Sequence, residues 1–543
     1  MKKLFLTKAA IILLLAAIFT SCKDLELAPE DQFTDLTYWN SPAKAQSMLN
    51  TAYSQIYSTD HFFYDEAMSD NAYSRTDASG SNSIATGAYD ASLARLKDEW
   101  TDHYRGIKSC NLLLSNIDRV PDMDQALKTR MKAEARVLRA FQYFQLMTWF
   151  GDVPLFEKDI TIEESRSIQR SPRAEVLAFI LKELDESVSG LPTNTALSEA
   201  ERGRITKGAA IALKARVLLY ESRWADVVST CELLINNTNN GSYSLFPSYE
   251  GLFLPQNEYN SEVILDVQFV PLTRTWGTFF DLAPISAGAR LNAMAPTQEL
   301  VNSYRMLNGK LPGESGSGYV ESNPYNNRDP RLTYTVVYHG YTWKKPNGST
   351  QTIYIKPGSD PNAAKLDEYA PGSSKTATGY YLRKYFDPTH TTSLGSGLNL
   401  ILIRYADVLL MYAEAKNELA KLDEATWNQT IKALRSRAGF TDAGALNYNS
   451  SWSQGDLKEI IRNERRVELA MEGLRIFDIR RWKIAETVLN GWVHGAQFGP
   501  ANEDGGYIRA GQRSFDKNKH YLWPVPREER SINPNLSQNP GWN

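Results

Sequence analysis

The chain has 543 residues, of which 42% are hydrophobic and 23% charged, an ordinary globular balance with material for a large core. Its formal net charge is −3, and removal of a leader bearing three lysines and no acid takes it to −6. A mildly acidic body attracts neither nucleic acid nor anionic lipid, which argues against both as partners.

The chain opens with Lys2, Lys3 and Lys8, an apolar run over 9–19, the small residues Thr20 and Ser21, and then Cys22. That order is the secretory signal pattern, and the run is too short to span a bilayer. A cysteine directly after the small residues is what a lipoprotein peptidase requires. The pattern predicts a signal peptide over 1–21, lipidation of Cys22 as the new N-terminus, and a polar tether over 22–35. Nothing after Phe19 is apolar for long enough to cross a membrane.

Helical spacing of Ala45, Met48, Leu49, Ala52 and Ile56 predicts a helix over 42–57. Periodicity fails over 59–98, where Ser, Gly, Asn and aromatics predict a long surface loop, a place where function concentrates. Trp100, Tyr104 and Ile107 open an amphipathic block. Met131, Ala135, Leu138 and Phe141 continue it to the stop at Gly151 and Pro154. Segments 205–221 and 224–235 form a helix pair with small residues such as Ala210 and Ala215 at the contact, similar to a tetratricopeptide hairpin. Segments 402–419 and 427–438 form a second. Between them 239–396 is irregular, with short strand-like runs at 263–270 and 333–338.

The fold class expected is therefore mainly α: tetratricopeptide-like hairpins as scaffold, carrying a large insertion of loops and short strands. One domain over 36–543 divides into a helical half (36–238), the insertion (239–396) and a C-terminal half (397–543). Cys110 and Cys231 sit in helical patterns and are expected as buried free thiols.

Catalytic motifs are scarce. The six histidines include no pair at i, i+4, and the chain has no Cys-x-x-Cys, no phosphate-cradling glycine loop before a helix and no Gly-x-Ser-x-Gly elbow. Carboxylate pairs for glycoside hydrolysis stay open, because their separation is spatial. Asp360 and Asp367 are weak calcium candidates. No cofactor, metal or catalytic residue is expected.

Four segments show internal order: EARVLRAFQYFQLMTWFGDVPL (134–155), RYADVLLMYAEA (404–415), RNERRVELAMEGLRIFDIRRW (462–482) and LWPVPREERSINPNLSQNPGW (522–542). In the third, Asp456 and Glu459 offer a helix-start pair just upstream, and Glu464, Arg465, Arg466 and Glu468 are spaced for ion pairs along the helix. Gly473 is a natural stop. The last segment, with Pro524, Pro526, Pro534 and Pro540, is expected extended rather than helical.

These segments, in this order behind a lipoprotein leader, resemble the SusD/RagB family of surface glycan-binding lipoproteins. EWTDHYRGIKSCNLLL (99–114) matches its N-terminal half as well. The resemblance implies an outer-membrane location facing the cell exterior in a Bacteroidota-type cell. It also implies a SusC-like TonB-dependent transporter as partner, and capture of oligosaccharide, or in some members peptide, without hydrolysis. Lys23, Asp24 and Glu26 are similar to the family's acidic surface-export signal, interrupted here by Leu25.

Ligand contacts in such a protein fall in variable loops. Asp70, Tyr73, Arg75 and Tyr89 in the first irregular region, Trp276, Tyr341 and Trp343 in the second, and Arg383 before the motif helix are the candidates. Trp276 and Trp343 suit stacking on sugar, while Asp70, Arg75 and Arg383 suit pairing with hydroxyls. Trp39, Trp100, Trp149, Trp224 and Trp482 lie in helical or motif positions and are expected in the core. A surface glycosidase and a helical scaffold that binds only protein are the competing classes.

Overall fold

The computed structural model describes residues 38–389 and 395–542; the leader, Cys22 and the 22–35 tether lie outside them. Among the described residues eight helices have twelve residues or more: α1 (Pro42–Ser54), α2 (Ala94–Asn116), α3 (Gln125–Phe150), α4 (Arg173–Ser187), α5 (Lys207–Tyr220), α6 (Trp224–Ile235), α7 (Tyr405–Glu418) and α8 (Gln454–Glu468). Asp124 caps α3 by accepting from the Leu127 amide, and the good helix formers that follow run unbroken to Gly151. Helix α3 packs on α2 and α4, and α5 forms a hairpin with α6. Gly208, Ala209, Ala210, Ala212 and Ala215 of α5 are all buried, so neighbouring backbones approach closely. Helix α6 then packs on α7, and α7 on α8, stacking the hairpins in a layer. This is the helical fold the spacing predicted.

Among the described residues the strands are short and form five two-stranded antiparallel pairs. Strand β1 (Ala72–Ser74) pairs β3 (Met294–Pro296), and β2 (Val263–Val267) pairs β8 (Leu400–Arg404), which ties the insertion to α7. Strands β4 (Val336–Val337) and β7 (Tyr381–Leu382), then β5 (Tyr341–Lys344) and β6 (Thr350–Ile353), lie within the insertion. Strands β9 (Gly491–His494) and β10 (Arg509–Arg513) make a hairpin near the end.

Four expectations need correction. Segment 59–98 is not a surface loop: it carries short helices at Thr59–Tyr64 and Ser81–Ala85 and buries Phe62, Phe63 and Met68. Its elements are too short to show a period. Run 333–338 starts inside a helical turn (Arg331–Thr335) before β4. The proline-rich ending contains a helix at Arg527–Ile532, because Pro526 stands at its N-cap, where no amide donor is needed. The cap of α8 is Ser453, exchanging hydrogen bonds with Asp456, and not an Asp456–Glu459 pair.

The charges of α8 also pair differently. Arg465 reaches Asp407 and Asp478, Arg466 reaches Asp70, Glu464 reaches Arg331 and Arg435, and Glu468 reaches Arg331, Arg404 and Arg437. Glu464, Arg465 and Glu468 are buried and Arg466 is half-buried, and each finds its partner on another element rather than along its own helix. Arg404 is fully buried among Glu262, Glu468 and Glu472. Segments 404–415 and 462–482 therefore form one internal ion-pair seam, with the scaffold role their pattern indicated.

The Asn-Pro-Gly-Trp ending closes the N-terminal half. Trp523 stacks on Trp149 at 3.8 Å and 10°, and Asn539 donates to the Phe150 and Trp523 carbonyls. Gly541 has φ +81°, and a Cβ there would stand 2.6 Å from the Lys519 Cβ, so only glycine lets the chain pass. Cys110 and Cys231 are free and buried, and burial pushes the Cys110 thiol up to about 12.

Candidate binding surface

Four of the eight residues singled out from the sequence, Asp70, Trp276, Tyr341 and Trp343, are in the interior, and Tyr89 and Arg383 are half-buried. Trp276 is 4% exposed, donates Nε1–H to the Leu398 carbonyl at 2.6 Å and lies 5.1 Å from the Phe63 ring. Tyr341 bonds the Thr333 carbonyl through its hydroxyl, and Trp343 is enclosed by Phe386 and by the Arg383 guanidinium at 5.0 Å. Neither tryptophan offers a face for stacking. Among its described residues the insertion has no long helix to build a core from, so its own aromatics supply one. Arg383 also donates to Glu250, and Tyr89 stacks with His520 and Trp542. Asp70 is buried and takes two hydrogen bonds from Arg475.

Tyr73 and Arg75 behave differently. Both are half-buried on and just past β1, and the Tyr73 ring lies against Gly511 of β10. The hairpin they border carries Trp492, which at 41% exposure is the one exposed tryptophan among the described residues. The Arg509 guanidinium lies 5.0 Å from the Trp492 ring centroid. Arg509 donates to Asp504 at 2.6 Å, and Asp504 also faces His494 Nε2 at 3.3 Å. His494 Nδ1 is 2.7 Å from Glu299, in the short helix Gln298–Ser303, and that hydrogen bond raises the pKa of the imidazole. Arg509 is the main cause that holds the Asp504 carboxyl down, at about 2.

Beside this row lies a cleft of about 570 Å³ lined by Asn302, Leu311, Tyr319, Glu321 and Tyr507, with Tyr507 donating to Glu321 at 3.0 Å. The surface thus combines flat ring faces with planar carboxylates and a guanidinium, groups that match C–H faces and adjacent hydroxyls respectively. Asp504, ionised at any neutral pH, cannot serve as a proton donor. Glu66 and Asp266 are pushed up to about 7, burial being the main cause, but both are in the core. Among the described residues no three His, Cys, Asp or Glu side chains come together as a metal site, and Asp367 is buried and accepts from the Ser286 amide.

Trp492, Tyr507 and Arg509 were not evident from motifs. The available signal was weak: two runs, 491–494 and 509–513, flank a stretch rich in Gly, Asn and Asp, which is a hairpin pattern.

The profile of the SusD family matches residues 272–542, and that of a family described as starch-binding and associating with the outer membrane matches 24–219. A crystal structure of a SusD-like carbohydrate binding protein from Bacteroides fragilis is 30% identical, with 92% of this chain and 100% of that one covered and a TM-score of 0.83. The chain belongs to the SusD/RagB family. SusD-like protein P2 of Formosa agariphila is 26% identical over 547 residues, 98% of each chain. A laminarin-binding SusD-like protein shares the fold at TM-score 0.69 and 23% identity, covering 93% of this chain and 100% of its own. In this SusD-like protein segments 404–415 and 462–482, among those that carry the resemblance, form the buried ion-pair seam, whereas Trp492 stands outside all of those segments.

Proposed function

We propose that the protein is a non-catalytic cell-surface receptor that holds oligosaccharide on the surface around Trp492 and passes it to a SusC-like TonB-dependent transporter. Cys22, fatty-acylated, fastens it to the outer membrane with this surface toward the exterior. One observation carries the reading: an exposed tryptophan beside Arg509, His494, Glu299 and Asp504, a ring face ringed by planar polar groups. Relatives described as carbohydrate-binding and laminarin-binding, and the matched description of outer-membrane association, support it.

Calorimetry against a panel of neutral polysaccharides, laminarin and starch included, tests it. Loss of a base- or sugar-stacking aromatic removes about 1–3 kcal/mol, so Trp492→Ala should weaken binding roughly tenfold or more without lowering the melting temperature. Wild-type affinity in that variant, no binding to any panel member, or release of reducing ends from a bound glycan would each overturn it.

A further inference from the structure

His494 stands between two carboxylates held on different elements. Its Nδ1 is 2.7 Å from Glu299, which also accepts from the His494 amide at 3.1 Å, and its Nε2 is 3.3 Å from Asp504. Glu299 belongs to the short helix Gln298–Ser303, which packs on both β9 and α8, whereas Asp504 lies in the segment that joins β9 to β10. The imidazole thus ties the hairpin to the body. From the body, Arg466 of α8 bears on Glu299, as does Arg513 of β10. On the hairpin side Arg509 donates to Asp504 at 2.6 Å and to Glu503 at 3.3 Å, and the same guanidinium lies over the Trp492 ring.

An ionised carboxylate only accepts hydrogen bonds, so the ring satisfies both neighbours only as imidazolium, with a proton on each nitrogen. Neutral imidazole keeps one N–H. The shorter contact, to Glu299, retains it, and the Nε2 lone pair then faces the Asp504 carboxylate. Displacing Asp504 moves Arg509, the group that backs the indole of Trp492. We infer that His494 is a positioning residue whose protonated ring clasps the β9–β10 hairpin to the body and sets Trp492 for ligand, so that glycan affinity falls as the ring loses its proton. The inference rests on the glycan-binding reading and adds a proton-driven control to that surface. Because the Glu299 hydrogen bond raises the imidazole pKa, the clasp is complete below the ordinary imidazole value and opens as pH rises through the raised one.

Two readouts on the full protein test it at pH 6 and pH 9. The first is laminarin binding by calorimetry, a neutral probe that does not itself titrate. Wild type should bind at least threefold more weakly at pH 9. His494→Gln should bind equally at both pH values and no tighter than wild type at pH 9, and Asp504→Asn, which replaces the facing lone pairs with an amide, should also flatten the profile. The second readout needs no glycan: Trp492 emission, taken as the difference made by Trp492→Phe, should change between the two pH values in wild type and stay constant in His494→Gln. Equal laminarin affinity at both pH values, unchanging Trp492 emission, or a pH dependence that survives both His494→Gln and Asp504→Asn would overturn the inference. If no glycan of the panel binds while the emission still follows His494, the receptor reading fails and the clasp stands.

Discussion

Asp70 accepts from Arg475 at 2.7 and 3.0 Å and lies 3.0 Å from Arg466. Burial alone would raise its carboxyl, but the two guanidiniums outweigh that and hold it well below the ordinary carboxylate range. Asp70→Asn strands them, so about 3–5 kcal/mol of stability should be lost in urea unfolding, with glycan affinity of the folded fraction unchanged. Asp266 goes the opposite way: burial first, then the charge of Glu258, push it up to about 7. The native state keeps a proton that the unfolded chain releases, so this contribution is complete below the ordinary carboxylate value and disappears as pH rises through about 7. Asp266→Asn should therefore unfold later than wild type at pH 8, by on the order of a few kcal/mol, and show little difference at pH 4. Urea midpoints at the two pH values check this. In the sequence Asp70 and Asp266 are equivalent acids; only the folded surroundings separate them, Arg466 and Arg475 facing the one, burial beside Glu258 enclosing the other.

Elements of high periodicity were readable and those without it were not. Helices α3, α5 and α7 followed from spacing and stops, because each buries one stripe over many turns. The aromatic residues of 59–98 and of the insertion looked like surface candidates. Short elements and loops gave no pattern to say that Phe63 and Trp276 pack on each other. Trp492 escaped for the same reason, since a four-residue strand shows little alternation. The β9–β10 hairpin invites an element-level test. A Cβ on Gly511 would sit 2.6 Å from the Tyr73 ring, so Gly511→Ala should push the hairpin off β1. Calorimetry should then show weaker neutral-glycan binding, severalfold, with global unfolding shifted far less than by Asp70→Asn.

Across the whole molecule, the ion-pair seam binds chain segments far apart in sequence: Asp70 to Arg475, Arg216 to Asp407, Arg404 to Glu262 and Glu472. The carboxyls of Asp70, Asp407 and Glu468 are all held low by facing arginines. Their contribution is present above the ordinary carboxylate range and is lost as pH falls below it, so acid should unfold the protein in one cooperative step. Salt should matter little, because buried pairs are weakly screened. Circular dichroism from pH 6 to pH 2, at low and high ionic strength, checks both statements.

The lid that Trp523, Asn539 and Trp542 place over Trp149 and Tyr89 has a temporal meaning. Residues 523–542 follow the elements they cover, so the Trp149 indole on α3 stays exposed until that later segment has docked.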